Sequence, residues 1–145
     1  ESNDDDVKKN ANRLSETSEN QISKINYLEK IDIKVKSMYI VGLPADTKKT
    51  YQKTFDYAQK INSTYAQFNV FTPYPGTPVF DEYKNKIFAK NYEEFTQCQL
   101  VFNHDNLTPN DITSMLDSSY KNYYSNNHLE LAILRAYKKG SIISI

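Results

Sequence analysis

Between residues 18 and 70 the apolar side chains change their spacing three times, and that alternation limits the fold more than any motif does. Ser18 and Gln21 read as a capping box, and Ile22, Ile25, Leu28 and the adjoining Tyr27 then recur at helical spacing to about Ile31. In IDIKVKSMYIVG the period shortens. Ile31, Ile33 and Val35 alternate with charged residues before the unbroken run Met38 to Val41, which fits a strand entering a buried sheet and ending at Gly42 and Pro44. From Thr47 the helical period returns, with Tyr51, Phe55, Ala58 and Ile61 on one face as far as about Asn62. YAQFNVFT follows, in which Ala66, Phe68 and Val70 alternate with Gln67 and Asn69 as in a second strand. Helix, strand, helix, strand, with a crossover helix of about a dozen residues, predicts neighbouring parallel strands joined by a right-handed crossover, hence an α/β fold.

The second strand runs into FTPYPGTPVF, where three of the five prolines and one of the three glycines fall between Pro73 and Pro78. Proline fixes its own φ and biases the preceding residue toward extended backbone, so this segment is a shaped loop. Beyond it, VFDEYKN reads as a short helix. NYEEFTQCQLVFNHDN reads as mostly irregular, with a short strand at Gln99 to Phe102. Thr108, Pro109 and Asp111 mark a helix start running to about Tyr124, and a last helix from about Leu129 to Lys139 precedes Gly140 in the C-cap position.

A chain of 145 residues suits one ordinary domain or part of a larger one. Eighteen basic and eighteen acidic residues balance, which gives no electrostatic case for nucleic acid or an anionic membrane surface. The one cysteine, Cys98, excludes an internal disulfide framework. With only His104 and His128 beside it, a complete cysteine/histidine metal site is excluded as well, so no metal ligand is expected within the chain. No apolar run approaches the roughly 20 residues that span a bilayer, and no signal-peptide pattern opens the sequence, so a cytoplasmic location is expected. The opening at Glu1, without methionine, predicts further residues upstream.

In parallel α/β folds the loops at the carboxyl ends of the strands build the ligand site. GLPADT and TPYPGTP both fall there. Taken alone, Gly42-Leu43-Pro44 suits a plain strand-to-helix turn, and Thr72 to Pro78 a rigid connector. Two such loops on one rim favour a site.

These residues carry a resemblance. GLPADT, followed about thirty residues on by YAQFNVFTPYPGTP and later by LTPNDITSMLDSSYKNYY, resembles the carboxyl-terminal half of radical S-adenosylmethionine enzymes, especially the branch with a cobalamin-binding domain upstream. ESNDDDVKKNANR looks like the superfamily's segment after barrel strand four, so the likeness covers about residues 1–124. It implies the carboxyl-terminal part of a partial, TIM-like (β/α)6 barrel over residues 1–105, supplying about its last three strands, with a helical extension over 106–145. In the family a [4Fe-4S] cluster, held by a C-x-x-x-C-x-x-C loop, reductively cleaves S-adenosylmethionine. The adenosyl radical, or a methyl group passed through cobalamin, then acts on an unreactive substrate carbon.

Carried over residue by residue, the resemblance gives Glu1 the position that contacts S-adenosylmethionine. Arg13 takes the position of an arginine directed at the cofactor carboxylate, a role that suits a planar, bidentate guanidinium. Gly42 matches the glycine that lets backbone approach the cofactor. The backbone of Val70, Thr72 and Pro73 would lie beside the adenine, while Tyr74 either faces substrate or packs.

Departures accompany the match. Ala45 and Asp46 stand in GLPADT where family members often read GLPGET; Asp46 keeps the charge and suits a helix cap. Met38 occupies the place of an aspartate that binds the ribose in some relatives. The cluster loop is absent, Cys98 reads as a buried or incidental thiol, and the chain by itself is expected to be inert. Partners implied are the upstream part of the same polypeptide and a small-molecule substrate; the 12 tyrosines and 7 phenylalanines suit a lipid or tetrapyrrole as well as a core. Two other readings stay open, a non-catalytic half-barrel binding module and a radical methylthiotransferase. A half-barrel leaves its first strand's edge unpaired, which predicts poor stability or self-association in isolation.

Overall fold

The structure, a computed structural model, describes residues 18–125 together with Ser2, Asp4, Asp6 and Lys9. Its elements run α1 (Ser18–Lys30), β1 (Lys36–Val41), α2 (Lys48–Ile61), β2 (Tyr65–Val70), α3 (Pro78–Tyr83), a 3-10 turn at Tyr92–Glu94 and α4 (Pro109–Tyr123). The helix predicted at residues 129–139 lies outside the described residues.

β1 and β2 pair in parallel, Lys36 opposite Tyr65 through Val41 opposite Val70, with α2 as the crossover. Alternation along the strands decides what each face meets. Tyr39, Val41, Ala66, Phe68 and Val70 are buried in a core with Phe55, Ala58 and Ile61 of α2 and Ile112, Met115 and Tyr123 of α4. Phe68 is its hub, with ring centroids 5.2 Å from Tyr39, 6.0 Å from Phe55 and 6.0 Å from Tyr123. Burying such a ring stabilises the fold by about 1.5–3 kcal/mol. The opposite face carries Lys36, Met38 and Ile40 with Gln67 and Asn69; Met38 is 54% exposed.

The outer edge of β2 is closed by side chains. Ala66 N–H donates to the Tyr124 hydroxyl at 2.7 Å, and that hydroxyl donates back to the Ala66 carbonyl at 2.7 Å. Tyr120 repeats the exchange with Phe68, at 3.0 and 3.1 Å, and Val70 N–H donates to the Gln97 carbonyl at 2.7 Å. The match is geometric. Tyrosines four apart on a helix stand about 6 Å along its axis, close to the roughly 6.6 Å between alternate strand residues, so α4 running antiparallel to β2 presents one phenol to each.

Cap chemistry sets the helix ends. Thr47 opens α2 with a reciprocal capping box to Thr50, and Asn62 closes it in the left-handed region at φ 51°. Thr108 and Asp111 form the same box at α4, with Pro109 in the first turn. Other expectations are corrected. β1 begins at Lys36, because Asp32 at φ 72° turns the chain out of α1 and leaves Ile31 and Ile33 each 49% exposed. The run from Met38 is buried only at alternate residues, because helices cover one face of the sheet. Tyr27 is 62% exposed, off the packed stripe of Ile22 and Ile25. Gln99 to Phe102 forms no strand, only an isolated antiparallel bridge between Phe102 and Ile87.

Candidate functional site

The carboxyl ends of β1 and β2 carry the two predicted loops side by side. Val41 pairs with Val70, and Phe71 N–H donates to the Val41 carbonyl at 2.8 Å, which brings Gly42 against Phe71. Of the residues singled out in the sequence, Gly42, Val70, Thr72 and Pro73 therefore share one rim. Glu1 and Arg13 lie outside the described residues.

In the first loop Gly42 sits at φ +75°, which glycine adopts freely. The space a Cβ would take is filled from below, since Ile112 Cδ1 of α4 lies 3.0 Å from that point. Asp46, 2% exposed, turns inward: its carboxylate accepts from Leu43 N–H at 3.0 Å and from the Thr50 hydroxyl at 2.9 Å. Burial pushes this carboxyl above the usual range, and the bonds from Thr50, Leu43 and Gly42 hold it partly back. The departure from the family's glutamate thus keeps a buried acceptor that shapes the loop.

The second loop is stiff by composition. Pro73 is fully buried, and the Thr72 hydroxyl donates to the Val70 carbonyl at 3.0 Å. Tyr74 to Thr77 close a turn, Thr77 N–H donating to the Tyr74 carbonyl at 3.1 Å, with Pro75 second and Gly76 third at φ +84°, the pattern of a type II turn. Tyr74 itself is 39% exposed.

An aromatic arc joins the loops. Phe71 packs edge-on against Tyr83 and Phe102 at 6.1 and 5.9 Å, and Phe102 lies 5.8 Å from the His104 ring. The Nδ1 of His104 accepts from the N–H groups of Asn106 and Leu107 at 3.0 and 3.2 Å, so the ring's proton sits on Nε2, 2.9 Å from the Leu43 carbonyl to which it donates. Asn106 Nδ2 adds a bond to the Asp46 carbonyl at 3.1 Å. His104 and Asn106 were not singled out in the sequence, where the only signal was a polar cluster just ahead of a helix cap.

The sheet face opposite the core carries Gln67 and Asn69, half-buried and joined by a 2.7 Å bond between their amides. No group of three metal-ligating side chains occurs among the described residues, and Cys98 is exposed, which rules out the buried thiol and leaves the incidental one. These residues do not fit an iron-sulfur cluster, whose iron needs thiolate ligands. No helix among the described residues is long and apolar enough to cross a membrane.

A parallel βαβ unit with two shaped loops at its carboxyl rim makes this an α/β chain. No family model matches it. Among curated proteins it is 28% identical over 111 residues to an uncharacterised methyltransferase of Pyrococcus horikoshii, covering 74% of this chain and 24% of that protein. It is 27% identical over 97 residues to the bacteriochlorophyllide d C-12(1)-methyltransferase of Chlorobaculum tepidum, with 67% and 21% covered. Over 114 residues it is 32% identical to the tRNA-2-methylthio-N(6)-dimethylallyladenosine synthase of Ehrlichia chaffeensis, with 72% and 26% covered. The chain is a homologue of radical S-adenosylmethionine enzymes, the superfamily that its sequence resembles, and spans about a quarter of the length of these relatives.

Proposed function

We propose that this chain is the carboxyl-terminal part of a radical S-adenosylmethionine enzyme, contributing the last strands of a partial barrel and one wall of the cofactor site. The observation that carries the reading is the rim itself: Gly42 and Val70 to Pro73, nearly thirty residues apart, end adjacent parallel strands. The backbone of Val70, Thr72 and Pro73 lies beside the adenine, held in one shape by two prolines and the Thr72 bond. Gly42 contributes rim shape, because its missing Cβ makes room for Ile112. By the resemblance, Glu1 is the residue assigned a contact with S-adenosylmethionine and Arg13 the one assigned to its carboxylate. Cluster ligands come from upstream polypeptide, together with cobalamin in the branch that the sequence resembles most. When bound, the cluster supplies the electron for reductive cleavage of S-adenosylmethionine.

Methyl transfer to a tetrapyrrole-like substrate is favoured by the bacteriochlorophyllide methyltransferase among the relatives. Methylthio transfer is the second reading, favoured by the 32% identity to the tRNA-modifying synthase. The test is the complete polypeptide, reconstituted anaerobically and given S-adenosylmethionine and a reductant. Release of 5′-deoxyadenosine or S-adenosylhomocysteine is expected, and Pro73→Ala with Thr72→Val should raise KM for S-adenosylmethionine. Neither product, with no binding of the cofactor, would sink the reading.

A further inference from the structure

Leu43 stands one residue beyond the left-handed Gly42, and its carbonyl accepts twice. One bond comes from Asp46 N–H at 2.7 Å, inside the loop; the other comes from His104 Nε2, 61 residues later, at 2.9 Å. A carbonyl oxygen has two lone pairs, so the two bonds together saturate it. We propose that His104 is a positioning residue for the rim ligand, fixing the Leu43-Pro44 peptide from outside the loop; this rests on the reading of that rim as a wall of the S-adenosylmethionine site.

The ring is aimed before it reaches the rim. Two backbone N–H groups of its own turn hold Nδ1, leaving the Nε2 proton a single direction. That turn leads straight into the Thr108 box of α4, and Asp111 of the box pairs with Lys48 at the start of α2 at 2.6 Å. Asn106 reaches the far end of the same loop at Asp46. The rim loop is thus gripped at both ends by one rigid turn. Without the His104 bond, the Leu43 carbonyl keeps only its local partner beside a glycine that has many conformations open to it.

A purely local role for His104, stabilising its own turn, predicts something different, and two substitutions separate the cases. In His104→Asn the side-chain oxygen sits where Nδ1 does and still accepts from Asn106 and Leu107, but no donor reaches Leu43. In His104→Gln a donor returns at about the Nε2 distance. Both are made in the complete polypeptide, with two readouts: hydrogen exchange of peptides spanning residues 39–47 and 103–108, and equilibrium affinity for S-adenosylmethionine.

We expect His104→Asn to speed exchange in 39–47 by about fivefold, the worth of one neutral hydrogen bond, with 103–108 nearly unchanged. Affinity should fall by roughly three- to tenfold on the same basis, and His104→Gln should recover much of both. Unchanged exchange in 39–47, or a loosened loop with unchanged affinity, would overturn the proposal. Failure of the wild type to bind S-adenosylmethionine would overturn the cofactor reading instead, and the exchange pattern alone would then decide whether His104 holds the loop.

Discussion

Gly42 meets two demands at one position, a left-handed backbone and Ile112 Cδ1 3.0 Å from where a Cβ would stand. Gly42→Ala should cost about 1–3 kcal/mol, the left-handed penalty plus displacement of Ile112, read as a lower denaturant midpoint. Adding Ile112→Val should return the steric part only, and an unshifted midpoint in the single variant would contradict this account. Asp46 adds a pH signature. Because burial raises its folded-state pKa, the folded chain holds this proton more tightly than the unfolded chain does. Its contribution to stability is therefore fullest below the ordinary carboxyl value of 3.8 and declines as pH rises through the folded value. Asp46→Asn should flatten that decline in denaturation curves measured from about pH 4 upward; equal pH slopes in the two proteins would refute it. Gly42 was legible in the sequence because glycine before Leu-Pro at the end of an apolar run has a local meaning. His104 was not, since its partner lies 61 residues away and no periodicity points to it.

At the level of elements, the helices that carry their own boundary chemistry were readable. Thr47 and Thr108 supply hydroxyls to the first turns they precede, so the starts of α2 and α4 follow from sequence. Thr108→Ala should cost about 1 kcal/mol and loosen the start of α4, visible as faster amide exchange there. The box also has an acid limit. The Lys48 ammonium, and then the Thr108 N–H and hydroxyl, hold Asp111 down to about 2, so what this carboxylate contributes is present above 3.8 and fades as pH falls through about 2. Lys48→Met should move that fading toward higher pH, and an acid midpoint indifferent to the substitution would count against the pairing. β1 was harder to bound because the alternation of Ile31, Ile33 and Val35 imitates a strand. The chain is there leaving α1 through the reversal at Asp32, where Ile31 N–H still reaches back to Tyr27 and Ile33 N–H to Leu28. A period of two is a local pattern, and only tertiary pairing tells an extended exit from a ladder.

For the molecule as a whole, what the sequence concealed was how the sheet stops. Two phenols, Tyr120 of α4 and Tyr124 at its C-cap, stand in for a neighbouring strand along β2, while α1 is tied in at the other end by Glu29, which accepts from Thr64 N–H and its hydroxyl at 2.7 Å each. Tyr120→Phe with Tyr124→Phe keeps the rings and removes only the oxygens, leaving the N–H and carbonyl of Ala66 and Phe68 without these partners. Such a loss costs about 1–3 kcal/mol per buried group left unpaired, and a bare strand edge invites another strand. The double variant should show a sedimentation coefficient that rises with concentration while the wild type shows a smaller rise or none; matching behaviour would show that the hydroxyls guard nothing. The guard also arrives late. Phe68 precedes Tyr120 by 52 residues, so a chain made at about 5–20 residues per second shows this edge bare for roughly 3–10 s before its cover is synthesised. In that interval the nascent chain offers a template to any extended peptide nearby, which makes the yield of correctly folded protein a matter of translation speed and of chaperones at hand.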